Sequence, residues 1–283
     1  MTPAAGHDDR IPPAPLVANA RMYSTTSREA NDAWMTLLRW VVARAGGDWQ
    51  VMEYPASAPL DDLWARPDLG CTFMCGLPFI WDNRDLTPIA APVVRGERYG
   101  GRPVYFTDIV VRRDAPYRTL EDTFGSRLGY TVKHSQSGYM ALREHLLPYR
   151  QTLGHSPYRE IVGPLGGARD VIDALLSDRI DVGPMDGYVL DLVKNLQPNI
   201  AEQLRVIETT KRASPIPLFI ATAKIDRSLA GKLQAAFAAA AAAEELQPQR
   251  DALLIADFVT PQRSDYVELR DRAQAANAYP DLW

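Results

Sequence analysis

The sequence has few of the residues that build metal centres and disulfide frameworks. Among 283 residues there are two cysteines, Cys71 and Cys75, and four histidines. Three residues separate the cysteines within an otherwise apolar stretch, a spacing that fits neither a disulfide framework nor a zinc site. We therefore interpret both as small buried hydrophobic residues. The histidines form no ligand set, and the sequence predicts no metal and no other cofactor.

Strong charge and long apolar runs are also lacking. Lys and Arg total 31 against 35 Asp and Glu, and no segment concentrates basic residues, so we expect no nucleic-acid partner. The longest apolar run, residues 235–243, is too short to cross a bilayer of about 30 Å, so we expect no membrane insertion. Residues 1–15 lack the basic start and apolar core of a secretory leader. We predict a disordered leader there and, for the chain as written, a cytoplasmic location; a native leader missing upstream would make it periplasmic.

What the sequence does contain is a recurring unit of strand, polar loop and helix. At 46% hydrophobic and 23% charged residues, the composition is that of a globular protein. Its length exceeds the roughly 100 to 200 residues of one typical domain, which favours one large or two medium domains. The alternation of strands and helices predicts an α/β fold.

Hydrophobic periodicity and turn residues locate these elements. We predict strands at residues 16–20, 49–54, 71–74, 104–111, 128–132, 160–162, 180–182, 204–207 and 218–222. Helices are predicted at residues 30–45, 60–66, 139–147, 170–177, 186–196 and 228–246, and the remaining C-terminal residues are expected to be helical. Ser27 is the expected N-cap of the first helix, Gly46 its stop, and Pro148 the stop of the helix at 139–147.

Polar turns at strand-to-helix junctions are the candidate ligand site, because open α/β sheets bind ligands at the carboxyl ends of parallel strands. The clearest turn comprises Ser135, Gln136, Ser137 and Gly138. Two hydroxyls and the free N–H groups of a helix start make an anion site, and Gly138 would let an anion approach the backbone. The alternative is that Ser137 serves only as an N-cap.

Two charged residues occupy similar positions. Arg169 follows a glycine pair at a helix start, where a cation opposes the helix dipole and is better explained by an anionic ligand. The alternative is a surface arginine paired with Asp170 or Asp173. Asp186 opens its helix as a cap and could also accept a hydrogen bond from a ligand amine or a protonated oxygen.

Several segments, taken in order, resemble the substrate-binding proteins of phosphate, phosphite and phosphonate ABC transporters. The similarity extends from Ala18 to about Tyr266. It rests on these segments: Ala20-Arg21-Met22-Tyr23, Cys75-Gly76-Leu77-Pro78, residues 105–112, Ser135-Gln136-Ser137-Gly138, residues 166–170, residues 181–186 and Ile216-Pro217-Leu218.

This resemblance implies a two-lobed type II periplasmic-binding-protein fold, with ligand bound between the lobes and hinge closure around it. Residues 16–104 and 225–283 are expected to form lobe 1, and residues 105–224 lobe 2. The family's anion-gripping serine turn maps onto Ser135, Ser137 and the backbone of Gly138 and Tyr139. Its cleft tyrosines map onto Tyr23 and Tyr105, for which a place in the core is the alternative, and its aspartate maps onto Asp186.

The function implied is capture of a small anionic compound, namely a phosphonate, a phosphate-like compound or a carboxylate, with an ABC-transporter membrane component as the partner. Ala168 and Arg169 stand where phosphonate binders tend to have Ser-His, which predicts extra negative charge on the ligand. Two alternatives stay open, an enzyme on the same fold and a cytoplasmic ligand sensor. The enzyme would need His134 or Asp186 as its acid or base. Trp34 and Trp81 are expected in the core more readily than on a ligand.

Overall fold

The computed structural model describes residues 14–279, which form two α/β lobes. The strands are β1 Leu16–Asn19, β2 Trp49–Val51, β3 Leu69–Met74, β4 Thr87–Val94, β5 Val104–Tyr105, β6 Thr107–Arg112, β7 Arg127–Gly129, β8 Glu160–Val162, β9 Val182–Asp186, β10 Leu204–Thr209, β11 Ser214–Pro215, β12 Leu218–Ala221 and β13 Ile255–Val259. The helices are α1 Arg21–Ser24, α2 Arg28–Ala45, α3 Leu60–Trp64, α4 Gly76–Trp81, α5 Ala141–Leu153, α6 Ala168–Leu176, α7 Gly187–Leu196, α8 Pro198–Ala201, α9 Arg227–Ala240, α10 Gln247–Ala252 and α11 Glu268–Asn277.

The first lobe is built on a six-stranded sheet with the order β13-β4-β12-β3-β1-β2. Strands β1, β2 and β3 are parallel, whereas β12, β4 and β13 add antiparallel pairs. Its core is aromatic: the rings of Phe73 and Phe219 stack with centroids 3.8 Å apart, and Trp34 meets Phe73 edge-on at 5.0 Å. Trp34 is fully buried, as predicted, whereas Trp81 is 39% exposed.

The second lobe is built on a five-stranded sheet with the order β10-β6-β9-β7-β8. Strands β7, β8 and β9 are parallel, and β6 and β10 are antiparallel to their neighbours. Residues 95–106 lead from the first sheet to the second, and residues 210–217 lead back. These two connections pair as the short antiparallel ribbon β5–β11, with Ser214 opposite Tyr105. Within residues 14–279, these two connections between the sheets therefore run side by side.

The local signals at the first helix are confirmed. The Ser27 hydroxyl accepts a hydrogen bond from the Ala30 N–H at 3.1 Å, and α2 ends at Gly46, whose φ of 79° favours glycine. Asp186 caps α7, and both cysteines are buried. Among the described residues, no helix has the length and apolar character required to cross a membrane.

Three predictions about elements are wrong, and one strand was not predicted. Helix α5 continues through Pro148 to Leu153, because its terminator is Gly154, with a left-handed φ of 75°. Helix α9 is capped by Asp226 instead of Ser228, and it ends at Ala240. The C-terminal region is not all helical, since β13 pairs with β4. No element was predicted at β4, which contains two prolines that argue against a strand.

The lobe boundaries stay a prediction, with one difference to note. Strand β12 pairs with β3 and β4, so residues 218–221 belong to the first sheet and not to the second lobe, in which they were predicted. The transition back to the first lobe therefore precedes Leu218 instead of following residue 224. Nearly all of the predicted disordered leader at residues 1–15 lies outside the described residues.

Candidate functional site

A cavity of about 150 Å³ lies between the two lobes. Its walls come from the segments that follow β1, β2 and β3 in the first lobe and β7, β8 and β9 in the second. These are the carboxyl ends of parallel strands, where the sequence predicted a site. Seven of the eight predicted site residues line the cavity: Tyr23, Tyr105, Ser135, Ser137, Gly138, Arg169 and Asp186. Tyr139 does not line it, and its ring packs 5.1 Å from that of Tyr130.

The serine turn begins a short π-helix, Gln136–Met140, that continues into α5. Its N-cap is Ser135, whose Oγ accepts a hydrogen bond from the Gly138 N–H at 3.0 Å. Ser137 is therefore not the cap, which was the alternative interpretation from sequence. The Thr107 hydroxyl donates to the Ser137 carbonyl at 3.1 Å and fixes the turn against the second sheet. Ser137 lines the cavity, and its hydroxyl lies 3.5 Å from Oδ2 of Asp186.

Gly138 is required for a reason that the sequence did not show. A Cβ at this position would lie 1.9 Å from Oγ1 of Thr131, which no side chain can tolerate. The Thr131 N–H also donates to the Gly138 carbonyl at 3.1 Å. The glycine thus lets the serine turn pack directly on the segment after β7. Close approach of an anion to Gly138 stays a prediction.

Asp186 lies at the centre of the polar wall. Its Oδ1 accepts hydrogen bonds from the N–H groups of Tyr188 and Val189, at 2.9 and 3.2 Å. Its Oδ2 faces two hydroxyls at long range, that of Tyr23 at 3.4 Å and that of Ser137 at 3.5 Å. Bonds of that length are weak, so both hydroxyls can turn to a ligand at little cost.

Burial controls the ionisation of this wall. The pKa of Asp186 is raised from 3.8 to about 7, chiefly because its carboxyl is desolvated, while the backbone N–H groups of Val189 and Tyr188 oppose the rise. Burial also raises the pKa values of Tyr23 and Tyr105. The tyrosines are therefore neutral donors at neutral pH, and Asp186 can either donate or accept a proton.

Two hydroxyls that line the cavity lack partners within the described part of the chain. The Tyr105 hydroxyl is buried with no hydrogen-bond partner of normal geometry, although Ser137 and Cys75 are close enough to affect its pKa. Oγ1 of Thr131 is likewise buried and unpaired. A buried hydroxyl left without a partner costs about 1–3 kcal/mol, so such hydroxyls on residues that line a cavity point to a polar ligand.

Arg169 lies in the wall with its own partners. Its Nε donates to Oδ1 of Asp173 at 3.1 Å and its Nη1 to Oε1 of Gln197 at 3.3 Å, and the side chain is 39% exposed. Pairing with Asp173 was the alternative interpretation from sequence, and the structure contains that pair. Binding of an anion by Arg169 stays a prediction.

Arg21 is a cavity residue that the sequence analysis did not single out. It begins α1 directly after the buried strand β1, and its side chain lines the cavity while the residue is only 9% exposed. Its position supplied a signal, because a charged residue at the carboxyl end of a buried parallel strand lies where such sheets bind ligands. His134 also lines the cavity, with its ring 6.1 Å from that of Trp64.

Residues 73–266, more than half of the chain, match the profile of a family described as the phosphonate ABC transporter periplasmic substrate-binding proteins. The chain belongs to this family. It is thus a solute-binding protein for a small anionic compound, from a family that works in transport in the periplasm with a transporter as partner. A search of curated proteins gave no match.

Solved structures confirm the fold. A binding protein component of an ABC phosphonate transporter from Pseudomonas aeruginosa has a TM-score of 0.77 at 15% identity, covering 93% of this chain and 87% of that one. PhnD1 from Prochlorococcus marinus, in complex with methylphosphonate, has a TM-score of 0.69 at 13% identity, covering 93% and 98%. A Xanthomonas citri protein bound to chloride ion has a TM-score of 0.66 at 17% identity, covering 93% and 99%. The architecture is the two-lobed type II periplasmic-binding-protein fold.

Proposed function

We propose that this protein binds a phosphonate in the interlobe cavity and delivers it, unchanged, to the membrane component of an ABC transporter in the periplasm. The observation that carries the proposal is the buried hydroxyl of Tyr105, which has no partner of normal hydrogen-bond geometry and belongs to a residue that lines the same cavity as Ser137 and Asp186. A phosphonate oxygen would supply the missing partner. The family match supports this choice of anion, since its members are phosphonate binders by description.

The donors suit a tetrahedral anion. Hydroxyls from Tyr23 in the first lobe, Tyr105 in the connecting ribbon and Ser135 and Ser137 in the second lobe surround one region of the cavity. The positive end of the helix that follows Ser135 adds a favourable interaction of about 0.3–1 kcal/mol. Because the donors come from both lobes, a bound anion would hold the lobes together, which is how binding couples to hinge closure.

Asp186 makes the site selective for a protonated anion. Its carboxyl and a phosphonate oxygen cannot both be ionised in contact, because two desolvated like charges repel. One proton must therefore lie between them, supplied by the ligand as P–OH or by Asp186 itself. With the pKa of Asp186 raised to about 7, about half of the ligand-free molecules carry that proton on Asp186 at neutral pH.

Calorimetric titration with methylphosphonate, phosphate and acetate tests the proposal. We expect methylphosphonate to bind and Ser137→Ala to weaken it by about tenfold or more, since a hydrogen bond to a charged group contributes about 1.5–3 kcal/mol. Ser228→Ala, at an exposed position outside the cavity, is the matched control. Unchanged affinity in Ser137→Ala would remove this site assignment. Recovery of a chemically altered phosphonate, detected by phosphorus NMR, would instead favour an enzyme.

A further inference from the structure

The guanidinium of Arg21 is buried without a carboxylate partner. Nε donates to the Pro55 carbonyl at 3.1 Å and Nη2 to the Ala56 carbonyl at 2.6 Å, while Nη1 makes a weak contact of 3.5 Å with Oγ1 of Thr25. All three acceptors are neutral. Among residues 14–279, no carboxylate oxygen lies within the 4.0 Å of an ion pair with Arg21. The charge of Asp170 acts on Arg21 only at longer range. Burial lowers the pKa of Arg21.

A buried charge in this state is incompletely compensated. A guanidinium has five N–H donors, and the three contacts leave one hydrogen on Nη1 and one on Nη2. Buried charges are normally paired, because an unpaired one costs several kcal/mol. Since Arg21 lines the cavity, an anion there would supply the missing partner through the two remaining hydrogens.

Arg21 serves a different part of the cavity from the donors of the proposed phosphonate site. It lies two residues before Tyr23 in the single turn of α1. Side chains two apart on a helix lie about 200° apart around its axis, so Arg21 and Tyr23 are expected to contact different groups of a ligand. Met22, Leu60 and Trp64 also line the cavity and provide apolar contacts for a hydrocarbon linker.

The volume limits the length of that linker. A cavity of about 150 Å³ is the size that holds a benzene ring in another protein, or about six carbon atoms. A phosphonyl group fills most of this space. What remains accommodates about one or two carbons and a small terminal group.

We propose that the ligand is a short phosphonate that carries a carboxylate at its far end, held by the guanidinium of Arg21. This inference rests on the proposed phosphonate site and adds the second charge that its substrate must have. Arg169 is the less suitable partner, because its side chain is partly exposed and already paired with Asp173.

Titration of the wild-type protein with phosphonoacetate, ethylphosphonate and aminomethylphosphonate tests the inference. Phosphonoacetate and ethylphosphonate share the phosphonyl group and one CH₂, and differ in whether the chain ends in a carboxylate or a methyl. We expect phosphonoacetate to bind at least tenfold more tightly than ethylphosphonate and than the amine. Equal affinities, or preference for the amine, would overturn the second-anion inference and leave the phosphonate site standing. Binding of none of the three would overturn both.

Variants then locate the effect. Arg21→Gln should lower the affinity for phosphonoacetate at least tenfold and change that for ethylphosphonate by no more than about twofold. Arg112→Gln, a matched control at an arginine that pairs with Asp114 outside the cavity, should change both affinities by less than about threefold. If Arg21→Gln lowers the affinities for phosphonoacetate and ethylphosphonate equally while its circular dichroism spectrum is that of the wild type, Arg21 is not the group that binds the carboxylate. If that variant does not fold, the wild-type ligand series still decides.

Discussion

The Tyr23 hydroxyl of the first lobe lies 3.4 Å from Oδ2 of Asp186 in the second lobe, although 163 residues separate the two in sequence. The Tyr23 ring also packs edge-on against that of Tyr188, at 4.6 Å. The lobes therefore meet at a carboxyl group whose pKa is raised to about 7. Both ligand binding and stability should depend on the proton that Asp186 carries.

Asp186 should make the stability of the protein fall as the pH rises. Because its pKa is raised from 3.8 in the unfolded chain to about 7 in the folded one, the folded state holds the extra proton between these values. The stabilising contribution is complete below pH 3.8 and is lost as the pH rises through about 7. Asp186→Asn keeps an N-cap residue and removes the titration. We expect the free energy of unfolding of the wild type to fall by about 2–4 kcal/mol relative to the variant across that window, measured in urea. If the free energies of unfolding of the wild type and of Asp186→Asn changed with pH in parallel, this prediction would be wrong.

Tyr105→Phe should separate stability from binding. The Tyr105 hydroxyl is buried with no partner of normal hydrogen-bond geometry, so its removal should raise the stability of the ligand-free protein by about 1 kcal/mol. The same change should weaken methylphosphonate binding by about tenfold. Thermal melts and titration of one preparation measure both effects.

Tyr188→Phe is the matched control for that experiment. Tyr188 is equally buried, but its hydroxyl donates to the Leu253 carbonyl at 2.6 Å. Its removal leaves a buried carbonyl unpaired and should lower stability by about 1–2 kcal/mol. If Tyr105→Phe also lowered the stability, as Tyr188→Phe should, the Tyr105 hydroxyl would have a partner in the ligand-free protein.

Gly138→Ala should displace the serine turn. The new Cβ would meet the Thr131 side chain, so the turn must move, at a cost of about 1–3 kcal/mol and with weaker anion binding. Gly231 lies inside α9, and no described residue outside the backbone of that helix comes within 4 Å of where its Cβ would stand. Gly231→Ala should therefore be neutral or stabilising by about 0.5–1 kcal/mol. Urea unfolding of the two variants measures the contrast. Equal effects would mean that Thr131 yields without disturbing the turn.

Local signals predicted much of the fold and part of the cavity wall. Ser27, Gly46 and Asp186 act through bonds to neighbours within a few residues, so a sequence pattern contains them. The strand-loop-helix units placed the polar turns at one edge of each sheet, and seven predicted residues line one cavity. Binding of a ligand by these residues stays a prediction, because the sequence pattern gives their positions and not their contacts with a ligand.

The errors arise where distant contacts decide. Strand β4 contains Pro88 and Pro92 yet runs between β12 and β13, with shifts in register on both sides that local propensity does not encode. Strand β13 is recognisable only once β4 is present to pair with it. Arg21 was missed for a related reason, because its lack of a carboxylate partner is a property of the assembled wall.

The connection between the lobes contains a buried ion pair whose loss should be costly. Nη1 and Nη2 of Arg98 donate to the two carboxylate oxygens of Asp108 at 3.0 and 2.9 Å, and Thr209 adds a hydroxyl bond at 2.6 Å. Asp108 is inaccessible to solvent. Arg98→Met would leave this carboxylate buried and unpaired, so we expect a loss of about 3–5 kcal/mol in the free energy of unfolding.

A surface pair supplies the control for that change. Arg112 pairs with Asp114, whose side chain is 74% exposed, so Arg112→Met should leave the free energy of unfolding almost unchanged. Arg98→Met combined with Asp108→Asn should recover part of the larger loss, because the variant no longer buries a charge. Urea unfolding of the three variants measures the ordering. Equal losses for Arg98→Met and Arg112→Met would mean that water reaches Asp108 once the guanidinium is gone, and that the connection between the lobes opens without unfolding.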